Sequence, residues 1–345
     1  INSAIDELIP ARVRGRVNLI INGSFWVGAV VGSGATVVLL DPRLLAVDLG
    51  WRLGFGIGVA LGLMVLIARR HVPESPRWLS VHGYRAKAER VMAEIETRIA
   101  RATQGVLPPA RETMTIQPRR KTELSVVFKT MFTRYRSRSI LGFVLIASQA
   151  FLYNAIFFTY ALVLRTFYDV PAQHTGLYLM PFAIANFLGP LILGHWFDSV
   201  GRRVMIAATY SLSGALLLMT GGLFAGGMLS AYGQTALWAA IFFFASAAAS
   251  SAYLTVSEIF PLELRAIAIA VFFAVGTGVG GVLAPWLFGL LIGSGSRMSV
   301  FGGYAFGSCF MLVAAAVALK LGVNAERVSL EGVATPLSAE VQPPR

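Results

Sequence analysis

Eight long runs of apolar residues divide this chain, and polar connectors separate them. Each run is long enough to form a helix of about 20 residues, which is the length that crosses a lipid bilayer. The predicted spans are Val17–Leu40, Leu53–Ala68, Ile140–Leu164, Thr175–Trp196, Val204–Leu223, Thr235–Val256, Ile267–Ile292 and Val300–Leu321. The pattern predicts an all-α polytopic membrane protein.

Composition and charge agree with this interpretation. The chain is 56% hydrophobic and only 13% charged, which lies outside the range of soluble domains. Its net charge of +12 does not indicate a nucleic-acid partner, because the basic residues lie in the connectors, where they orient a membrane protein. If connectors alternate sides, one side holds all Lys and Arg residues except Arg43, Arg52, Arg165 and Arg297. This asymmetry predicts a cell-membrane protein with both ends of the given chain in the cytoplasm.

One connector pattern, Glu-x-x-Pro-x-x-x-Arg, occurs twice, from Glu7 to Arg14 and from Glu258 to Arg265. Each arginine leads directly into a long apolar run, so the pattern indicates a duplicated architecture with two equal halves. Two spans precede the polar segment in the middle of the chain and six follow it. We therefore expect that four spans of the first half, which would lie before Gly15, are not part of the sequence.

This organisation predicts four regions. Residues 1–72 form the end of an N-terminal six-helix bundle, and residues 73–137 form a cytoplasmic linker with surface helices. Residues 138–322 form a C-terminal six-helix bundle, and residues 323–345 form a cytoplasmic tail. Within the linker, Tyr84–Arg101 favours a helix, whereas Gln104–Lys121 is polar and contains prolines.

A further connector has the pattern Gly194-x-x-x-Asp198-x-x-Gly201-Arg202-Arg203. Its glycines permit a tight turn and close helix packing. Its arginines can bind a carboxylate at the same membrane face, such as Glu258. The simpler alternative is an anchor of the positive-inside type, but the glycine and aspartate spacing favours a specific interaction.

With Pro73-Glu74-Ser75-Pro76-Arg77 after the second span, these connectors resemble the major facilitator superfamily, in its sugar-porter and metabolite:proton symporter-like branch. The resemblance covers Ile1 to about Leu321. It implies the major facilitator fold, with eight of twelve transmembrane helices present as helices 5–12, and two bundles that rock about a central site. It also implies a cytoplasmic gate made of Glu7, Arg14, Glu74, Arg77, Asp198, Arg202, Arg203, Glu258 and Arg265.

Polar residues inside the spans are the candidate substrate contacts, since an unpaired polar group is costly in lipid. Gln149 and Asn154 keep the spacing of a sugar-binding pattern of the family, and Tyr153 directly precedes the asparagine of this pattern. Asn22 and Tyr253 correspond to a substrate-binding glutamine and a sugar-stacking tryptophan of the family. The predicted substrate contacts are Asn22, Gln149, Tyr153, Asn154, Asn186 and Tyr253. The alternative for each is an interhelical hydrogen bond.

These observations predict a secondary active transporter of a small polar metabolite, a sugar or an organic acid, by alternating access. Its partners would be the substrate, a proton and the lipid bilayer, with no oligomer required. No acidic residue lies in the middle of a span, and the coupling acid of the family is on helix 1, so symport and facilitated diffusion stay open. No enzyme activity, metal or cofactor is expected. The single cysteine, Cys309, excludes a Cys-based metal site within the chain, and neither a P-loop nor a grouping of Ser, His and a carboxylate occurs. The string Gly276-x-Gly278-x-x-Gly281 lies in an apolar helix without a preceding strand, so it indicates helix packing rather than dinucleotide binding.

Two alternatives belong to different functional classes. An efflux transporter of apolar compounds is suggested by Phe157, Phe158 and residues 242–244, which are all phenylalanine. A membrane sensor that carries no substrate is compatible with the same fold, because fold alone does not determine function.

Overall fold

The computed structural model describes residues 6–70, 74–103, 123–171 and 174–339. The structure consists of long helices that are joined by loops and short helices. The helices are α1 (Arg14–Gly23), α2 (Phe25–Leu39), α3 (Val47–Arg69), α4 (Pro76–Val81), α5 (Arg85–Thr103), α6 (Leu124–Phe132), α7 (Arg136–Ile156), α8 (Tyr160–Tyr168), α9 (Thr175–Ser199), α10 (Arg202–Ala225), α11 (Ala231–Ile259), α12 (Leu262–Gly293), α13 (Arg297–Leu321) and α14 (Leu330–Val333).

All eight predicted spans are confirmed as helices long and apolar enough to cross a membrane. They are Ala11–Leu39, Asp48–Arg69, Arg136–Tyr168, Thr175–Ser199, Arg202–Ala225, Ala231–Ile259, Leu262–Gly293 and Arg297–Leu321. Most helices extend a few residues beyond the predicted ends, because they still include polar or charged residues at which the apolar pattern stops. The ends at Thr175 and Leu321 agree with the prediction, and the first span ends at Leu39, one residue before the predicted end. The linker helix predicted over Tyr84–Arg101 is α5, whereas Pro73 and Gln104–Lys121 lie outside the described residues.

The helices from α7 to α13 pack into one bundle. Helix α7 contacts α11, α12 and α13, while α10 packs between α11 and α13, and α9 packs along α11. The close approach of α9 and α11 requires a glycine, since a Cβ atom at Gly189 would lie 1.9 Å from the carbonyl oxygen of Phe243. Helix α1 docks onto α9 and α11, helix α2 docks onto α9, and α3 packs against α2 with its apolar side chains largely exposed.

The first span runs antiparallel to α9. At one end, the backbone N–H of Gly15 donates to Asp198, which lies near the end of α9. At the other end, a Cβ atom at Gly176, near the start of α9, would lie 2.8 Å from the hydroxyl of Thr36 in α2. The loop after α2, which includes Leu44, is therefore at the opposite end of the molecule from Gly15 and Asp198.

Candidate functional site

Four side chains at intervals of four residues form a stripe along the first span: Arg14, Asn18, Asn22 and Trp26. Residues at this spacing share one face of a helix. Arg14, Asn18 and Trp26 are buried and Asn22 is half-buried, against α9, α11 and α7. The sequence patterns predict functional roles for Arg14 and Asn22 but not for Asn18 and Trp26, although all four share the same spacing.

At the Arg14 end of this stripe, buried ionic groups surround Glu258. The Glu258 carboxylate accepts hydrogen bonds from Arg202 Nε at 2.9 Å, from Arg202 Nη2 at 3.0 Å and from Arg14 Nη1 at 3.3 Å. Arg202 Nη1 also donates to Asp198 at 2.9 Å. These side chains are 5% exposed or less, so each charge depends on its partners for stability.

Asp198 also caps the first span. It accepts hydrogen bonds from the backbone N–H groups of Gly15 at 3.0 Å and Arg16 at 2.7 Å, where a negative charge is favourable at a helix N-terminus. A Cβ atom at Gly15 would lie 2.3 Å from Arg202 Nη1 and 2.7 Å from Asp198 Oδ1. A larger residue at this position would have to displace the buried side chains of Arg202 and Asp198.

The two copies of the repeated connector pair with each other reciprocally. Arg14 of the first copy binds Glu258 of the second, and Arg265 of the second binds Glu7 of the first at 3.5 Å. The hydroxyl of Ser75 donates to the Glu7 carboxylate. We refer to the buried ionic residues Glu7, Arg14, Asp198, Arg202, Glu258 and Arg265 as the charged cluster.

Three other predicted gate residues lie outside the charged cluster. Arg77 donates to the backbone carbonyl of Glu7 and forms a half-exposed ion pair with Glu331 at 2.7 Å. Arg203 is exposed and donates to the carbonyl of Leu319, and Glu74 is exposed as well. Within the described ranges, neither Arg203 nor Glu74 takes part in an ion pair, and a gate role for them stays a prediction.

A segment near the end of the described chain covers the charged cluster. We call residues 325–338 the C-terminal strap. It contacts α1 and α4 on one side, and α7, α10 and α12 on the other. Its contacts are Val328 carbonyl with Arg14 at 3.2 Å, Glu331 with Arg77 at 2.7 Å, Val333 carbonyl with Arg138 at 3.0 Å, Glu326 with the Arg202 N–H at 3.4 Å, and the N–H groups of Leu337 and Ser338 with Glu263 at 3.1 and 2.9 Å.

At the Trp26 end of the stripe, polar and aromatic groups from four helices meet. The hydroxyl of Tyr153 in α7 donates to Asn186 in α9 at 2.7 Å, and its ring stacks on Trp26 with a centroid distance of 5.5 Å. The ring centroid of Phe182 lies 6.3 Å from that of Trp26, and the ring centroid of Phe242 in α11 lies 5.0 Å from that of Tyr153. Trp26 thus joins the first span to the helices that carry the predicted substrate contacts.

The other predicted substrate contacts divide into two groups. Gln149 lies one helical turn before Tyr153, and its amide nitrogen is 3.5 Å from the hydroxyl of Tyr253 in α11. Asn154 instead donates to the carbonyl of Ala150 in its own helix. Its side chain faces α12, because a Cβ atom at Gly281 would lie 3.5 Å from Asn154 Oδ1. The structure therefore does not bring Asn154 together with Tyr153 and Asn186.

A hydrogen-bonded chain leads from Asn22 to Asp6, an acid for which the sequence patterns predict no role. Asn22 Nδ2 donates to Asn18 Oδ1 at 2.8 Å, and Asn18 Nδ2 donates to Asp6 Oδ1 at 2.7 Å. Asp6 Oδ2 contacts the hydroxyl of Ser257 in α11. Asp6 is fully buried, and this burial raises the pKa of its carboxyl group from the ordinary 3.8 to about 7.

The sequence profile of the family described as "Sugar (and other) transporter" matches residues 3–335. The chain is 28% identical over 350 residues to the putative metabolite transport protein YdjK of Escherichia coli, with 95% of this chain and 68% of YdjK covered. It is 24% identical to the high-affinity hexose transporter HXT6 of Saccharomyces cerevisiae, with 99% of this chain and 62% of HXT6 covered.

Among solved structures, the chain is similar to the major facilitator superfamily proton:xylose symporter XylE bound to 6-bromo-6-deoxy-D-glucose. The TM-score is 0.74 at 20% sequence identity, and the match covers 96% of this chain and 69% of XylE. At this identity the likeness establishes the fold, which is the major facilitator fold expected from the connectors.

Proposed function

The chain belongs to the sugar (and other) transporter family, and from this premise we propose that it serves as a secondary transporter of a small, neutral, hydroxylated metabolite such as a sugar or a polyol. In this proposal the α1–α3 group and the α7–α13 bundle rock against each other. The charged cluster is then the cytoplasmic gate, and the site around Tyr153 and Trp26 binds the substrate.

The observation that carries this proposal is the meeting of polar and aromatic groups between these two groups of helices. Trp26 comes from the first span, while Tyr153, Asn186 and Phe182 come from α7 and α9. A ligand held here would contact both moving parts, so its binding free energy would depend on their relative position. A ligand can shift a conformational equilibrium only through such differential contacts.

The chemistry of the site supports a neutral substrate rather than an organic acid. Amide and phenol groups supply both donors and acceptors for hydroxyl groups, and aromatic rings suit the apolar face of a sugar ring. In this structure Trp26 packs on the ring of Tyr153, so a bound sugar would take the place of part of this contact. A carboxylate would need a cation. Arg14, on the same face of the first span, lies about three helical turns from Trp26 and already binds Glu258 and the carbonyl of Val328. Myo-inositol and hexoses are therefore the first substrates to test.

The test is uptake of radiolabelled glucose, xylose, myo-inositol and a monocarboxylate into proteoliposomes with the purified full-length protein. We expect saturable uptake of a neutral compound. Gln149→Ala removes a buried amide, and one hydrogen bond from this amide to the substrate would contribute about 1 kcal/mol of binding free energy. The value of kcat/KM should therefore fall roughly fivefold. Ser199→Ala, a change at an exposed position, is the matched control and should leave uptake unchanged.

The alternatives give different results in the same assay. An exporter of apolar compounds is the second candidate, because phenylalanine rings surround Trp26 and could pack on an apolar ligand. The ring centroids of Phe157 and Trp26, for example, are 5.3 Å apart. Such an exporter would move hydrophobic dyes and would be insensitive to Gln149→Ala. Saturable binding of a sugar or polyol without any flux would instead support a sensor and overturn the transport proposal.

A further inference from the structure

We propose that Asp6 is a proton-binding site that holds the charged cluster closed while it is protonated and releases its proton when the two groups of helices separate. This inference deepens the proposed function, on which it rests, by naming a coupling ion and the residue that binds it. The geometry of Asp6, the charge balance of its surroundings and its hydrogen bonds all bear on the proposal.

Charge balance sets Asp6 apart from the acids of the charged cluster. Glu258 has Arg14 and Arg202, Asp198 has Arg202, and Glu7 has Arg265 as a cationic partner. Among the described residues, Asp6 forms no ion pair and contacts the neutral side chains of Asn18 and Ser257. A buried carboxyl group without a cation is more stable in its neutral, protonated form.

The hydrogen bonds of Ser257 provide a place for that proton. Ser257 Oγ lies 2.8 Å from the carbonyl oxygen of Leu254 and also contacts Asp6 Oδ2. The hydroxyl has a single hydrogen and cannot donate to both oxygens. If it donates to Leu254, the hydrogen between Ser257 and Asp6 must belong to the acid. With one proton on Asp6 Oδ2, both contacts are complete hydrogen bonds.

The charged groups around Asp6 oppose one another. Glu258 disfavours its ionised form and Arg14 favours it. Glu7 follows Asp6 directly in the chain, and Arg265 in α12 interacts electrostatically with Asp6. Burial is the largest cause, and the pKa of Asp6 accordingly rises to about 7.

Separation of the helices reverses this effect. Asp6 precedes the first span, whereas Ser257 lies in α11, so opening would part them and admit water. The pKa of the hydrated carboxyl group should return towards its ordinary 3.8. Because the higher pKa belongs to the closed form, protonation favours closure below pH 7, and this preference is lost as the pH rises through about 7.

Asn18 and Asn22 connect this acid with the proposed substrate site. Each amide donates towards the acid, from Asn22 to Asn18 and from Asn18 to Asp6. A substrate that draws the Asn22 amide away would remove a donor from Asn18 and alter the hydrogen bonds of Asp6. The chain thus gives substrate binding a direct route to the proton site.

The first measurement is infrared spectroscopy of the full-length protein during a pH titration. Wild type should show the carbonyl stretch of a protonated carboxylic acid, which fades with a midpoint near pH 7. Asp6→Asn should abolish this band, while Asp6→Glu should retain a band with a shifted midpoint. Glu89→Gln, at an exposed acid paired with Arg85, is the control and should retain it. Absence of the band in wild type, or its survival in Asp6→Asn, overturns the proposal.

The second measurement is alkylation of a cysteine placed at Leu19, which is buried in α1, in a Cys309→Ser background. With closed and open pKa values of about 7 and 4, the open fraction should rise roughly tenfold between pH 6 and pH 8. At each pH, the alkylation rate of the folded protein is divided by that of the denatured protein, because the ionisation of the thiol itself also changes with pH. Asp6→Asn should flatten this rise, and a tenfold rise that persists in this variant contradicts the proposal.

Neither measurement requires substrate flux. A protein that transports no sugar or polyol would refute the proposed function, and both Asp6 measurements would still give a clear result. Conversely, normal uptake with no titrating acid at Asp6 would refute only this inference.

Discussion

Glu258 is the acid that two buried arginines share, and its removal should open the charged cluster. Glu258→Gln leaves the guanidinium groups of Arg14 and Arg202 buried with one fewer negative charge. Loss of one partner of a buried ion pair costs about 3–5 kcal/mol. We expect the cysteine at Leu19 to be alkylated at least tenfold faster in this variant, and uptake of the substrate to fall.

Arg203→Gln is the comparison for this prediction, and it also tests the predicted gate role of this exposed arginine. Arg203 is exposed and donates only to the carbonyl of Leu319 among its described contacts, and surface substitutions of this kind usually change stability by about 0.5 kcal/mol or less. Its alkylation rate should stay within about twofold of wild type. Equal rates in Glu258→Gln and Arg203→Gln would contradict the view that the buried ion pairs, rather than the exposed charges of the connector, hold the cluster closed.

The sequence shows why Arg202 and Arg203 were not distinguished. Two adjacent arginines at the start of a helix point about 100° apart, so one faces the bundle and the other faces outwards. The spacing of the connector does not reveal which one. Asp6 was missed for a different reason, since its neutral partners Asn18 and Ser257 come from two separate segments that sequence alone does not bring together.

At the scale of elements, all eight spans could be predicted because a bilayer requires a minimum length of apolar helix. The breaks at Ser24 and at residues 157–159 were not predicted, since the apolar pattern continues through both. The stripe of Arg14, Asn18, Asn22 and Trp26 was only half identified for a similar reason. An apolar average over a window hides a polar face that recurs once per turn.

The C-terminal strap is the element whose removal tests how the closed form is held. It contacts Arg14 and Arg77 on one side, and Arg138 and Glu263 on the other. A chain that ends after Gly322 loses all these contacts, and we expect several-fold faster alkylation of the cysteine at Leu19. The measurement compares the rate of this alkylation in the full-length and the shortened protein at one fixed pH.

A single-site variant of the strap gives the comparison. The side chains of the Arg77–Glu331 pair are 36% and 29% exposed, so solvent screens this pair and its value is about 0–1 kcal/mol. Glu331→Gln should therefore change the rate much less than removal of the strap. If the shortened protein reacts no faster than wild type, the strap does not stabilise the closed form.

At the scale of the whole molecule, the reciprocal pairs of the repeated connector join the two groups of helices twice. Glu258 with Arg14, and Arg265 with Glu7, both cross from the start of the chain to the α11–α12 connection. Separation of the two groups must break both pairs at once. Such coupled contacts favour two discrete arrangements over a continuous series of intermediate ones, as alternating access requires.

The orientation of this molecule in the membrane follows from charge and can be tested directly. The charged cluster and Ser199 lie at one end, and Leu44 lies in the loop at the other end, because the first span and α9 are antiparallel. The excess of Lys and Arg is on the Ser199 side, which predicts that this side faces the cytoplasm. A cysteine at Leu44, which is 62% exposed, should react with an impermeant maleimide in intact cells.

A cysteine at Ser199, also exposed, should react only after the cells are permeabilised, with both variants in the Cys309→Ser background. The parent protein without cysteine gives the baseline of labelling. The reverse pattern would place the charged cluster outside the cell. Closure of this cluster would then correspond to an inward-facing site, and the proton of Asp6 would be released to the exterior when the cluster opens.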